Sequence, residues 1–204
     1  MGEDRYKAWS NPNTIEAASQ MILGQHTAEP LNEDHFILDF MGFRHRGTVL
    51  DFGCGVGRNT FMLASRCREV IAYDFPNMLS LLRQDYRFLN FVNIHPVSSW
   101  SLVKRSRKLD AIVCCISLQH IHIDDLKSIV KDFSYLTDNL YVHGRATLDF
   151  TGDLIYPIIS EHWDVKRIYG DSNPSSEKLL KMTGNDHYFA HYIPKPVEED
   201  EQEY

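Results

Sequence analysis

The sequence predicts an α/β domain built on an open parallel sheet with helices on both faces, and three observations carry that expectation. Short apolar runs alternate with helical spacing between residues 48 and 143. The first run opens into a helix through a turn holding Gly53, Gly55 and Gly57. The second ends at an acid, Asp74, about 20 residues beyond that turn, the place where a doubly wound sheet puts a ribose-binding carboxylate.

Taken in order, residues 1–46 mix helix formers with Asn-Pro, Gly and Glu-Pro punctuation. They read as a helical lead-in able to act as a lid, with Phe36–Met41 a helix packing onto the main domain. That domain spans 47–196. Thr48–Phe52 is a short apolar strand that leads through the glycine turn into a helix ending near Arg66. Val70–Tyr73 is the second strand. Met78, Leu81, Leu82 and Tyr86 then recur at helical spacing between Asn77 and Phe88. Phe91–Ile94 reads as the third strand. Asp110–Ile116 is a continuous apolar run, expected of a central strand covered on both faces. Asp124–Leu136 is a helix capped by its acidic pair Asp124-Asp125, which suits the positive end of the dipole. Leu140–His143 is a fifth strand. A helix over Leu154–Trp163 and a hairpin-like pair of strands, Val165–Tyr169 and Tyr188–Ile193, finish the sheet around the long stretch 170–187. Residues 197–204 form a solvated acidic tail.

A chain of 204 residues fits one domain with a proper core, and 43% hydrophobic with 24% charged residues is ordinary for a soluble globular protein. No apolar run approaches the roughly 20 residues that cross a bilayer, and the N-terminus lacks a secretory h-region. The four cysteines show neither zinc nor disulfide spacing, so buried free thiols and a cytoplasmic location are expected. Much of the net charge of −7 sits in the tail. The one basic run, Lys104–Lys108, is weaker than the stripe a nucleic-acid enzyme usually carries, which disfavours a nucleic-acid partner. Nothing in the sequence specifies an oligomer.

The chemistry starts at the glycine turn, where the backbone can bend sharply and a ligand can approach without Cβ clashes. A dinucleotide fingerprint needs a third small residue where this chain has Arg58; here the third glycine comes one position earlier. Asp51, two residues before Gly53, would repel a pyrophosphate and suit an ammonium. A ligand with a ribose, an ammonium and no phosphate is S-adenosylmethionine.

From about Gly47 to Gly144 the chain resembles the class I, Rossmann-like S-adenosylmethionine-dependent methyltransferases, through Asp51-Phe52-Gly53-Cys54-Gly55-Val56-Gly57, Asp74 and Leu118-Gln119-His120-Ile121. The resemblance implies a seven-stranded, mostly parallel sheet in the order 3-2-1-4-5-7-6 and methyl transfer from S-adenosyl-L-methionine. It implies that Asp51 orients the methionine part, which Gly53, Cys54, Gly55 and Gly57 line. Asp74 would bind the ribose and Phe75 would pack on the adenine. The family's acid after the third strand is replaced by Ser98, which leaves Ser98 or the backbone to meet the adenine amine. Ile116 would sit near the sulfonium, with Gln119 and His120 near the reacting edge.

His120 is the candidate general base, although methyl transfer often needs only in-line placement, and a loop-orienting role fits it better. No metal is expected. His187 and His191 would lie about 13 Å apart on one strand face, too far to share an ion, and His120-x-His122 lacks a third partner. Motifs of amino-group methylases and of cytosine-C5 enzymes are missing, so a small-molecule acceptor with an O, N or C nucleophile is expected. A non-catalytic cofactor-binding subunit and an RNA or protein methyltransferase are the alternatives.

Overall fold

The computed structural model describes residues 12–18, 40–42, 47–146, 155–168 and 186–196. The chain order is β1 (Thr48–Phe52), α1 (Thr60–Ala64), β2 (Glu69–Tyr73), α2 (Pro76–Gln84), β3 (Ile94–Val97), α3 (Trp100–Val103), β4 (Ala111–Cys115), α4 (Ile123–Leu136), β5 (Leu140–Ala146), α5 (Ile155–His162), β6 (Trp163–Ile168) and β7 (Asp186–Pro194). One seven-stranded sheet runs β3-β2-β1-β4-β5-β7-β6, the expected order. The first five strands are parallel, and β7 lies antiparallel to both β5 and β6. The late strands thus form the anticipated antiparallel pair, although 169–185 lies outside the described residues.

Period-2 alternation divides the side chains of the central strands between two cores. Leu50, Phe52, Ile112 and Cys114 face α4 and α5, packing with Val130, Phe133 and Ile159. Val49, Ala111, Val113 and Cys115 face α1 and α2, packing with Phe61, Leu63, Leu79 and Leu82. Leu126, Val130, Phe133 and Leu136 make the buried stripe of α4, a spacing of three and four residues. Asn139 ties the strand ends together: its Nδ2 donates to Asp110 O at 3.1 Å, and its Oδ1 lies 3.0 Å from His191 Nε2.

Three expectations need correction. The third strand is Ile94–Val97, not Phe91–Ile94: Phe91 ends a 3₁₀ turn over Tyr86–Asn90, and Val92 is almost fully exposed. β3 is an edge strand, where the missing N–H of Pro96 costs no ladder bond, so the proline does not break it. The cap of α4 is His122, and Asp124 and Asp125 lie within the first turn, still suited to the dipole. The helix after the glycine turn is also shorter, ending at Ala64, where Asn93 Nδ2 donates to the Ala64 and Cys67 carbonyls at 2.9 and 3.0 Å. Of the lead-in helix, Phe40 and Met41 are helical and buried; residues 36–39, most of 1–46 and the acidic tail lie outside the described residues.

Candidate cofactor site

The strand order reverses between β1 and β4, and a cavity of 440 Å³ opens there at the strand C-termini, the usual place for a ligand in an open α/β sheet. Its size falls in the range of about 300–1,000 Å³ typical of small-molecule sites. Four loops supply the wall. The turn after β1 gives Gly53 and Gly55, the end of β2 gives Asp74 and Phe75, the loop after β3 gives Ser98 and Trp100, and the exit of β4 gives Ile116, Ser117 and His120.

The turn after β1 is held by backbone bonds that its glycines make possible. Gly53 and Cys54 N–H groups donate to Tyr73 O at 2.9 and 3.1 Å, and Gly55 N–H donates to Asp74 Oδ2 at 2.7 Å. Gly53, Gly55 and Gly57 have φ of 74°, 57° and 94°, the left-handed region that residues with a Cβ avoid. Gly53 also admits Ser117, since an added Cβ would collide with the serine side chain.

Asp74 is the acid on the cavity wall. Burial pushes its carboxyl up to about 6, against the opposing pull of hydrogen bonds from the Gly55 and Phe75 N–H groups. Asp51 sits elsewhere. It is 1% exposed and does not line the cavity; its Oδ2 accepts the Thr60 hydroxyl of α1 at 2.6 Å. Cys54 and Gly57 are likewise outside the lining set and buried. Burial, followed by the charges of Asp74 and Asp51, pushes the Cys54 thiol well up, and burial does the same to Cys114. Neither thiol is a nucleophile at neutral pH.

Of the eleven residues singled out from the sequence, the structure therefore brings Gly53, Gly55, Asp74, Phe75, Ser98, Ile116 and His120 to one cavity, and leaves Asp51, Cys54, Gly57 and Gln119 out of its lining. His120 ends a 3₁₀ turn over Leu118–His120, and its Nε2 lies 3.2 Å from Gln119 Nε2. No cluster of three metal-ligating side chains occurs among the described residues.

Sequence reasoning missed the α4 wall. Asp125, Ser128 and Ile129 line the cavity from that helix, a spacing of three and four residues that shares a helix face, and Ile121 joins them from just before it. That spacing was available in the sequence. It missed Trp100 too, whose Nε1–H donates to Asp132 Oδ2 at 2.7 Å, fixing the indole between α3 and α4. Phe52 stacks on Tyr73 with centroids 5.1 Å apart, and Trp100 meets both edge-on, so the floor beneath the cavity is aromatic.

Residues 49–138 match the family described as "Methyltransferase domain". No curated protein matches the chain. Many solved structures share the fold at low identity. The N-methyltransferase NodS from Bradyrhizobium japonicum WM9, in complex with S-adenosyl-L-homocysteine, is 12% identical with a TM-score of 0.64, covering 96% of this chain and 98% of that one. The magnesium protoporphyrin IX methyltransferase from Synechocystis PCC 6803, with bound S-adenosylmethionine, is 15% identical with a TM-score of 0.58, covering 96% and 92%. A TehB-like methyltransferase from Corynebacterium glutamicum ATCC 13032 Kitasato is 18% identical with a TM-score of 0.58, covering 80% and 87%. The sequence match takes in the glycine turn and Asp74, and the seven-strand fold is shared with solved S-adenosylmethionine-dependent methyltransferases.

Proposed function

We propose that this chain is an S-adenosylmethionine-dependent methyltransferase that acts on a small-molecule acceptor, transferring the methyl group to an O, N or C nucleophile, and that the cavity at the ends of β1, β2 and β4 holds the cofactor. The observation that carries the reading is Asp74: a carboxylate on the cavity wall, already placed by Gly55 and Phe75 N–H groups. Two oxygens there can accept a pair of vicinal ribose hydroxyls. Phe75 would lie on the adenine, Gly53 and Gly55 would bring backbone close to the methionine part, and Ile116 would face the sulfur. Asp51 and Thr60 would act from behind, bracing the turn through their 2.6 Å bond. Bound S-adenosylmethionine supplies a methyl group on a positively charged sulfur. The chain's own share is then placement: a rigid turn and an aromatic floor that tolerates a cation. His120 orients the β4 exit, and no base is required of it.

Most of the N-terminal lead-in and of the stretch 146–187, the segments expected to shape the acceptor pocket, lies outside the described residues. A nucleic-acid acceptor is disfavoured by what the basic run does. Lys104 pairs with Asp132 at 3.4 Å and Lys108 with Asp138 at 2.6 Å, so two of its four cations already have carboxylate partners. We place the protein in the cytoplasm on its four free, buried cysteines. No described helix is long and apolar enough to cross a membrane.

Calorimetry with S-adenosylhomocysteine tests the cavity, and transfer of a labelled methyl group to small-molecule, RNA and protein fractions tests the acceptor. Binding by the wild type with a loss of about 100-fold in Asp74→Ala, and label in the small-molecule fraction alone, is the expected result. Unchanged affinity in Asp74→Ala would overturn the site, and label in RNA or protein would overturn the acceptor class.

A further inference from the structure

Besides Asp74, the structure puts a second carboxylate, Asp125, on the same cavity. With the ribose at Asp74 and the methionine part at Gly53 and Ile116, what is left of the lining is a slot between the loop after β3 and helix α4. Its faces are apolar or aromatic: Met78, Trp100, Ile121 and Ile129. Its polar side chains are Ser98, Asp125 and Ser128. The α4 side is well placed by the fold. Asp132, two turns along from Asp125 on the same helix stripe, holds the Trp100 indole, so the face of α4 that carries Asp125 is the face turned to the slot.

We propose that Asp125 reads the edge of the adenine ring, accepting a hydrogen from its exocyclic amine. The argument is one of donors and acceptors and rests on the cofactor site above. Adenine shows a donor at its amine and an acceptor at N1; hypoxanthine, in the inosine analogue, shows an acceptor and a donor at the same two places. Serine hydroxyls at 98 and 128 donate or accept and satisfy either base. An ionised carboxylate only accepts, so it rewards the amine and repels the carbonyl oxygen. Asp125 is therefore the carboxylate on this slot that can tell the two bases apart by charge. It lies at the exposed rim of the cavity, where water competes, so its effect is modest in size but specific in kind.

The test is calorimetric titration of the full chain with S-adenosylhomocysteine and S-inosylhomocysteine, in the wild type, Asp125→Asn, Asp125→Ser and Asp124→Asn. The wild type should prefer the adenine ligand by about tenfold or more. Asp125→Asn, whose amide can donate to the inosine carbonyl, should bring the ratio close to one, and Asp125→Ser should lower it. Asp124→Asn, one residue away in the same first turn, should leave it unchanged, which separates base reading from a general effect on the helix terminus. An unchanged ratio in both Asp125 variants would overturn the proposal, as would an equal change in Asp124→Asn. A wild type that binds neither ligand would overturn the cofactor site itself, and this inference with it.

Discussion

The turns after β1 and after β4 meet at the same cavity, leave neighbouring parallel strands, and solve one geometric problem in opposite ways. Both must swing the chain through left-handed backbone. After β1 this happens at glycines, where no Cβ opposes it. After β4 it happens at Ile116, with φ of 53°, a β-branched residue in a region such residues rarely enter. The first turn is permitted by its own residues and then pinned by Tyr73 O and Asp74. The second is imposed from outside: Ile116 N–H donates to His143 O on β5 at 2.8 Å, and the residue is 6% exposed. The tertiary structure holds there what the local sequence would refuse, at a cost of about 1–3 kcal/mol.

The largest expected effect comes from giving the first turn a side chain. Gly57 has φ of 94°, and a Cβ there would run into Leu82 and come within 2.9 Å of Phe61. Gly57→Ala combines about 1–2 kcal/mol of left-handed strain with about 1–3 kcal/mol of overpacking. A loss near 3 kcal/mol in urea unfolding is expected. A loss under about 1 kcal/mol would mean that this turn bears a side chain as the β4 exit does, and the contrast would fail.

Asp74 gives a pH signature to the same turn. Its folded carboxyl titrates at about 6, above the ordinary 3.8, because burial disfavours the charge. The folded state thus binds more protons than the unfolded between these values. The ionised group costs stability at neutral pH, and that cost shrinks as pH falls through 6 toward 4. Cofactor binding has the opposite slope, since ribose hydroxyls need the ionised acceptor. S-adenosylhomocysteine affinity should be level above pH 6 and fall about tenfold per unit below it. In Asp74→Asn the affinity should be lower and the profile flat, as seen by calorimetry between pH 5 and 8. A wild-type profile that stays level to pH 5 would show that the carboxylate is not the group the ligand meets.

How much of this was legible in the sequence divides along the same line. Gly53, Gly55 and Gly57 announce a special turn because glycine is where left-handed backbone is cheap, and Asp74 announces itself by distance from that turn. Alternation and continuous apolar runs carried β1, β2 and β4 almost to the residue, and placed the start of β5 but not its last three residues, which extend it to Ala146. β3 was misplaced because Pro96 looks like a breaker until its strand is known to be an edge. Asp51 read as a ligand because its spacing is right, yet the strand's pleat turns it toward Thr60 and away from the cavity. The α4 wall went unread because Asp125, Ser128 and Ile129 carry no chemistry of their own until the fold sets them against Trp100. Strain at Ile116 is the extreme case: nothing in Cys-Cys-Ile-Ser-Leu marks it, since the forces that hold it come from β5.

The smallest expected effect is also the sharpest test of that strain. At an ordinary buried position, shortening isoleucine to glycine is worse than shortening it to alanine by about 0.5–1 kcal/mol, because glycine has more backbone freedom to lose. At Ile116 the order should reverse. Both variants lose the buried side chain, but Ile116→Ala keeps a Cβ in the left-handed region, whereas Ile116→Gly releases it. Glycine should therefore be the more stable of the two by about 1 kcal/mol in urea unfolding. Both should bind S-adenosylhomocysteine more weakly than the wild type, because the side chain lines the cavity whichever way the backbone is relieved. An alanine variant that outlasts the glycine one would mean that the β4 exit is locally content, and the two turns would then differ in composition but not in how they are held.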